Sequence, residues 1–572
     1  MSEAIDAREA GTGSGGIGRR SLLQQALLLG LGGAAGLWSG RAPGAPAPAR
    51  RSSVPRYDMN VRLEPAQRRM QVSGVARFPG SAQPRQELRL LLAPLASEVR
   101  FSCRDRRGAV PVSVSDEVRG GDRLWTLRFA APRAASVELE VHFSYRIGGQ
   151  GLLFYAGPEL CFATAWGMNW YPLSLAENQG MATGSLSVEA PAGWKVVASH
   201  RALGTPRGGR FRYEVIHSTY FSFAAGPFVV TEQPGTPHVS LYALEARANT
   251  AALAGGTQRM LGVLGREFGP YRSDRFALVE APRPIAQASG LNACSLPGFA
   301  ILNGNAFRAR SVASMLEWLG HELSHQWFPH IVGFRATPNA FLTEALAEYG
   351  GCRVVEEMGG AAAAERMRRI GFEPDPIYSA AAYFQMVANG EDSPLYRPAE
   401  SPNENATRNI AYNKGGFVFS MLGRHIGADR FRRAFHDITG RHAHGDVTWE
   451  EFRRTIERMS GRDLTQFFEQ WFERTGAPDF ALSWRQDGAR VAGVVRQPAP
   501  YYAAHMEIRM DGAGGQSRTH LIDVAAAAET PFSLPAGFAV RDVVLDPAYK
   551  ILRWTPEYRA LRRTTPQPGP AL

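Results

Sequence analysis

The residues best suited to chemistry are His321, Glu322 and His325, in the pentapeptide His321-Glu322-Leu323-Ser324-His325. On an α-helix, residues four apart lie about 40° apart and one turn along, so both imidazoles can reach one metal ion. Glu322 is rotated by about 100° from His321. From there its carboxylate can meet a water activated by the metal without ligating the metal itself. A catalytic site of this kind needs a third ligand and one open position. Nineteen positions after His325 stands Glu344, within Phe341-Leu342-Thr343-Glu344-Ala345-Leu346-Ala347-Glu348-Tyr349. A second helix antiparallel to the first would present Glu344 to the same ion. Two imidazoles and a carboxylate are a donor set that suits zinc. Glu348, one turn beyond Glu344, would accept the free N–H of a ligating histidine and fix its tautomer. A solvent-facing role fits Glu348 equally.

Around these residues the chain resembles the aminopeptidase N and leukotriene hydrolase family, peptidase family M1 of the gluzincin zinc metallopeptidases. The shared signature is His-Glu-x-x-His, eighteen residues, then Glu in a Glu-x-x-Ala-x-Tyr frame. Tyr412-Asn413-Lys414-Gly415 is similar to the family's Tyr-x-Lys-Gly motif. Met421-Leu422, Gly427, the run Phe467-Phe468-Glu469-Gln470-Trp471, Gly476 and Pro478 continue the likeness. Upstream, the stretch from Tyr57 to Phe78, Trp170-Tyr171-Pro172 and Ala224-Ala225-Gly226 resemble landmarks of the family's β domain. In all, the resemblance covers about residues 55–480.

It implies one Zn2+ per chain, held by His321, His325 and Glu344, with a peptide as substrate. Glu322 would be the general base, and Tyr412 would stabilise the tetrahedral intermediate. It also implies that Gly290, Leu291, Asn292 and Ala293 bind substrate, as an edge strand aligning its backbone. An ordinary buried loop is the other reading of that segment. The likeness fails at two points. Where the family's Gly-x-Met-Glu-Asn motif carries the glutamate that binds a free amine, this chain has Ala293. The family's second amine anchor, a glutamine, corresponds to Cys161. Glu280 or Glu267 would have to substitute if a free amine is read. The function expected is an exported zinc metallopeptidase with altered amine recognition. A zinc hydrolase of a non-peptide bond, or a non-catalytic peptide-binding module, are the alternatives; the intact donor triad, Glu322 and Tyr412 argue against the module.

These residues must be positioned by a multidomain α+β fold. From about 56 to 230, short runs alternate polar and apolar residues between Gly/Pro turns, predicting an N-terminal antiparallel β domain over 55–232. Over 235–477 the period lengthens to that of helices, which, with the resemblance, predicts a thermolysin-like, mainly helical zinc catalytic domain. Ser311 is a candidate N-cap for the helix bearing the histidines, and further helices are expected over 341–357, 361–369, 415–426, 428–439 and 448–459. The β signature returns over 479–556 as a small C-terminal β-sandwich, and 562–572 reads as a loose tail.

The whole chain has 572 residues, 44% hydrophobic and 20% charged, which excludes low-complexity disorder and a small disulfide scaffold. Its net charge is +11, yet only Lys195, Lys414 and Lys550 are lysines, so the excess is dispersed arginine. No basic run is interleaved with aromatics, so no nucleic-acid partner is expected. Four cysteines without metal-clip spacing read as buried free thiols. Arg19-Arg20, the apolar stretch 22–38 and Ala47-Pro48-Ala49 make 1–49 a twin-arginine-type leader, so a periplasmic or other extracytoplasmic location is expected. An uncleaved leader would anchor the N-terminus in a membrane. Oligomeric state cannot be read from the sequence.

Overall fold

The computed structural model describes residues 54–564 apart from 82, 120–121, 135–136, 149, 152–153, 165–168, 175–180, 200, 219–220, 290–292, 310, 335–339, 372–378 and 397–409. The leader, Gly290, Leu291, Asn292 and residues 565–572 thus lie outside the described residues.

The N-terminal part is β-rich. Arg56–Glu64 turns Tyr57, Met59, Val61 and Leu63 inward on alternate positions. It lies within an eight-stranded sheet, between Arg69–Phe78 and Ala182–Glu189. The first neighbour is antiparallel and the second parallel, so the expectation of a purely antiparallel domain is corrected at this pair. A parallel pair needs a long crossover, and the strands built between 78 and 182 provide it.

The span read as mainly helical opens with a five-stranded mixed sheet. Its order is Val229–Gln233, His238–Ala243, Arg275–Ala281, Phe299–Asn303 and, at the edge, Ala293–Leu296. Alternate residues of its strands face two different cores. Phe276, Leu278, Ala300 and Leu302 face the helices, whereas Ala277, Val279, Phe299 and Ile301 pack with Leu160, Phe162 and Phe228 of the β-rich part. A strand covered on both faces needs no polar alternation, so a period of two cannot reveal it.

Helices follow at Leu316–Ser324, Ala340–Val354, Gly360–Ile370, Gly415–Ile426, Ala428–Arg441 and Trp449–Ser460. Ser311 does cap, but it caps a short 3-10 turn, Val312–Met315, that leads into the first of these. Thr448, expected as the first residue of its helix, is instead its N-cap and closes a capping box with Glu451. Two three-stranded antiparallel sheets come last, one on Arg490–Arg496 and one on Ala504–Gly512. Their apolar side chains join the core of the helices. Helix Pro556–Thr564 then runs past the start of the expected loose tail. It is held because Tyr558 is buried, stacks on Phe384 and donates its O–H to Arg369 O at 2.9 Å.

All four cysteines are free; three are buried and Cys352 is half-buried. Burial pushes the Cys103 and Cys161 thiols up to about 11, which keeps them unreactive. No described helix is long and apolar enough to cross a membrane.

Candidate metal centre

Three helices converge on the site. Leu316–Ser324 carries His321 and ends within the motif, with His325 as its C-terminal cap residue. Ala340–Val354 crosses it closely, because glycine stands at the crossing. A Cβ on Gly351 would lie 2.8 Å from Glu317 O and 3.3 Å from the backbone nitrogen of His321. Gly415–Ile426 packs on the same helix: a Cβ on Gly416 would lie 2.8 Å from Glu348 Cβ. Just ahead of that third helix is Tyr412.

The convergence brings together the residues singled out by spacing. His321 Nε2 and His325 Nε2 are 3.1 Å apart, and Glu344 Oε2 lies 3.4 Å and 3.6 Å from them. Each imidazole spends its other nitrogen on an acceptor. His321 Nδ1 is 2.6 Å from Glu348 Oε1, and His325 Nδ1 is 2.9 Å from Phe328 O. An Nδ1–H donated to these acceptors leaves both Nε2 lone pairs facing each other and a carboxylate oxygen. Three electron-pair donors so placed repel one another unless a cation lies among them. A tetrahedral ion with bonds of ~2.0–2.1 Å would space its ligands by roughly 3.3 Å, close to the spacings observed. The residues therefore fit a metal ion, and zinc among metals by donor type.

Burial pushes Glu344 up, but His325, His321 and a hydrogen bond from Tyr412 outweigh it and hold the carboxyl at about 2. It is therefore ionised at neutral pH. The Tyr412 ring also stacks on His321, with centroids 5.6 Å apart and planes 19° from parallel. Glu322 lies beside the donor cluster, and its pKa is raised, first by burial. The neighbouring imidazoles and a hydrogen bond from the Ser295 backbone offset part of that rise.

Ser295 belongs to the edge strand Ala293–Leu296, which pairs with Phe299–Asn303 on one side only. Since its N–H points outward to Glu322, alternation puts the backbone of Ala293 on the same outer edge. Of Gly290, Leu291, Asn292 and Ala293, Ala293 alone lies among the described residues, and it begins this edge strand.

Two groups escaped the sequence reading. Gln326, directly after the motif, is buried and clamps the edge hairpin to it. It donates to Leu296 O at 2.9 Å and Ser295 Oγ at 3.0 Å, and accepts from Gly298 N at 2.9 Å. Glu317, one turn before His321, is buried against Glu348, and burial with that neighbour's charge pushes its pKa well up. It is the protonated partner and donates to Glu348, which accepts from His321. The only hint in sequence was an acidic residue on an apolar face, between Leu316 and Trp318.

Three other residues named from the sequence are engaged or buried elsewhere. Glu280 is committed elsewhere, with Oε1 2.7 Å from Arg247 Nη2 and Oε2 accepting from Leu244 N at 2.9 Å. Glu267 binds Tyr349 O–H and faces Arg353 and Arg432. Cys161 is fully buried in the core of the β-rich part. Strand alternation explains this: its neighbour Phe162 takes the outward-facing position between the two cores.

Residues 299–471 match the Peptidase family M1 domain. The match contains the histidine helix, the Glu344 helix and Tyr412. Probable aminopeptidase 1 of Sulfurisphaera tokodaii is 23% identical over 230 residues, covering 38% of this chain and 27% of that protein. Tricorn protease-interacting factor F2 of Thermoplasma volcanium is 23% identical over 176 residues, 30% of this chain and 21% of that one. Aminopeptidase N of Lactococcus lactis is 25% identical over 182 residues, 31% and 20%. The chain thus spans between 20% and 27% of the length of these curated relatives.

Replacing Glu348 by Gln removes the charge that orients His321. Metal affinity should fall by roughly 10–100-fold, measured by competition with a chromogenic chelator. Unchanged affinity would mean that Glu348 plays no part in holding the site.

Proposed function

We propose that the protein is a zinc-dependent metallopeptidase that hydrolyses peptide bonds, a reading supported by the match of residues 299–471 to the Peptidase family M1 domain. The observation that carries the reading is the spacing of His321, His325 and Glu344 donor atoms, with Glu322 held beside them. Zinc bound there supplies Lewis acidity, polarising the scissile carbonyl and lowering the pKa of water. Glu322 takes the water's proton and passes it to the leaving amine. Its burial-raised pKa suits a group that must release a proton as well as accept one. The Tyr412 hydroxyl, hydrogen-bonded to Glu344 before substrate arrives, donates to the oxyanion, worth ~3–4 kcal/mol by comparison with other such donors. An extended substrate adds to the outer edge of Ala293–Leu296 as a further strand. In this reading the helical span and its mixed sheet are a thermolysin-like catalytic domain, and the two last sheets a small sandwich.

Among the described residues named for the purpose, none is left for a substrate's free α-ammonium. Ala293 is uncharged, and the described carboxylates Glu280 and Glu267 are tied to other partners. An unpaired buried ammonium is costly, so we propose that internal bonds or blocked termini are cut at least as well as free amino termini. Arg19-Arg20 and the apolar stretch after them support export by the twin-arginine route.

Glu322→Gln should abolish turnover while zinc content stays the same, and Tyr412→Phe should lower kcat by ~10²–10³-fold. Full rate in Glu322→Gln would refute the base assignment. Aminoacyl amides should be poor substrates beside internally quenched peptides with blocked termini; the reverse order would restore aminopeptidase specificity. If zinc-loaded protein turns over neither, the non-peptide or binding-module readings take its place. Cell fractionation should find the full chain outside the cytoplasm and an Arg19→Lys, Arg20→Lys variant inside it. Equal distribution of the two would rule out this route.

A further inference from the structure

On the far side of the Glu344 helix from the metal centre lies a cavity of about 310 Å³. Several parts of the chain line it, among them Glu267 of the helix Thr250–Phe268. The Glu344 helix contributes Tyr349 and Arg353, the Gly415–Ile426 helix contributes Ser420 and Arg424, and the C-terminal sheets contribute Glu507, with Lys550 beyond them. The volume is at the lower end of the range for small-molecule sites.

The charges lining it are unequally matched. Each carboxylate has a cation. Glu507 pairs with Lys550 at 2.6 Å. Glu356 is held by Arg353 and by Arg368, the latter at 2.9 Å. Glu267 faces Arg353 and Arg432, each at 3.4 Å. Arg424 has no carboxylate within ion-pair distance among the described residues. Its Nη2 donates to Lys550 O at 2.5 Å, and its Nε–H is buried with no hydrogen-bond partner there. Glu356, already held by Arg353 and Arg368, and Asp546 are near enough to act on it through space. However, Asp546 already accepts from Lys550 N at 2.7 Å and Ile551 N at 2.9 Å. A guanidinium carries five N–H donors in a fixed fork that matches a carboxylate or phosphate. Leaving a buried donor of a charged group unmatched is costly. Burial also draws the Arg424 pKa downward, as expected of a cation short of compensation.

We propose that this cavity is a binding site for a small anion bearing a carboxylate or phosphate group, held by Arg424. Such an anion completes the guanidinium's hydrogen bonds and fills the space between the catalytic helices and the C-terminal sheets. The site is separate from the metal centre and does not depend on the peptidase assignment.

The test is calorimetric titration of the zinc-loaded full chain with inorganic phosphate and, separately, succinate, at constant ionic strength. A hydroxamate saturates the metal throughout, so that anions cannot register there. One-to-one saturable binding of at least one probe is expected, weakened at least ten-fold in Arg424→Met with zinc content unchanged. Which probe binds separates phosphate from carboxylate ligands. Equal affinity in wild type and variant, or no saturable binding of either anion, would overturn the proposal. Binding seen only without hydroxamate would belong to the metal centre and overturn it too. If Arg424→Met does not fold, crystals of the wild-type protein soaked in arsenate decide: anomalous density within hydrogen-bond distance of Arg424 is expected, and its absence from the cavity refutes the site.

Discussion

Three helices must approach more closely than ordinary side chains allow, and the site depends on that approach. Leu316–Ser324 carries His321, and Ala340–Val354 carries Glu344 and Glu348. Gly351 lets the second lie on the backbone of the first near Glu317 and His321. Gly416 brings the third helix onto Glu348 in the same way, so that Tyr412, just ahead of that helix, reaches Glu344. Donor atoms 3.1–3.6 Å apart tolerate little displacement, since productive geometry is held within about 0.5 Å in sites of this kind. A methyl group at either glycine would force a comparable shift.

That approach concentrates charge and polar groups in a dry place. Glu344 and Glu322 lie within reach of both imidazoles, and Glu317 and Glu348 within reach of His321. The arrangement is tolerable because the carboxylates are differentiated by their surroundings. Glu344 is held ionised, Glu317 keeps its proton and gives it to a hydrogen bond, and Glu348 joins Glu317 to His321. The order runs outward from the donor cluster, so each orienting group is itself oriented. Gln326 extends the same logic to the edge strand: one buried amide makes three hydrogen bonds to the hairpin that faces Glu322. Lys414, in the motif with Tyr412, does this on the other side. Its buried ammonium donates to Arg474 O at 2.8 Å and ties the start of the third helix to the chain leading into the C-terminal sheets.

Much of this was legible in sequence because it is local. Histidines four apart and a glutamate one turn before another each follow from helical geometry. The edge strand was partly legible, since its neighbours could be placed by resemblance. The mixed sheet was not, because its central strands Arg275–Ala281 and Phe299–Asn303 are buried on both faces and leave no alternating pattern. The terminal helix was missed for a related reason: its polar composition reads as tail, and buried Tyr558, with ion pairs of Arg559 to Asp479 and Glu557 to Arg369, fixes it to the body.

By itself, the sequence determined which donors exist and that two of them share a helical face. Those facts depend on residue identity and on the fixed period of a helix. Tertiary structure alone decided which carboxylates are available. Glu280 and Glu267 look as free as Glu348 when read along the chain. In the fold, Arg247 and the Leu244 backbone take the first, Tyr349, Arg353 and Arg432 surround the second, and His321 takes Glu348. A carboxylate's role is set by the partners that burial leaves to it, and those partners come from 33 to 165 residues away for the first two.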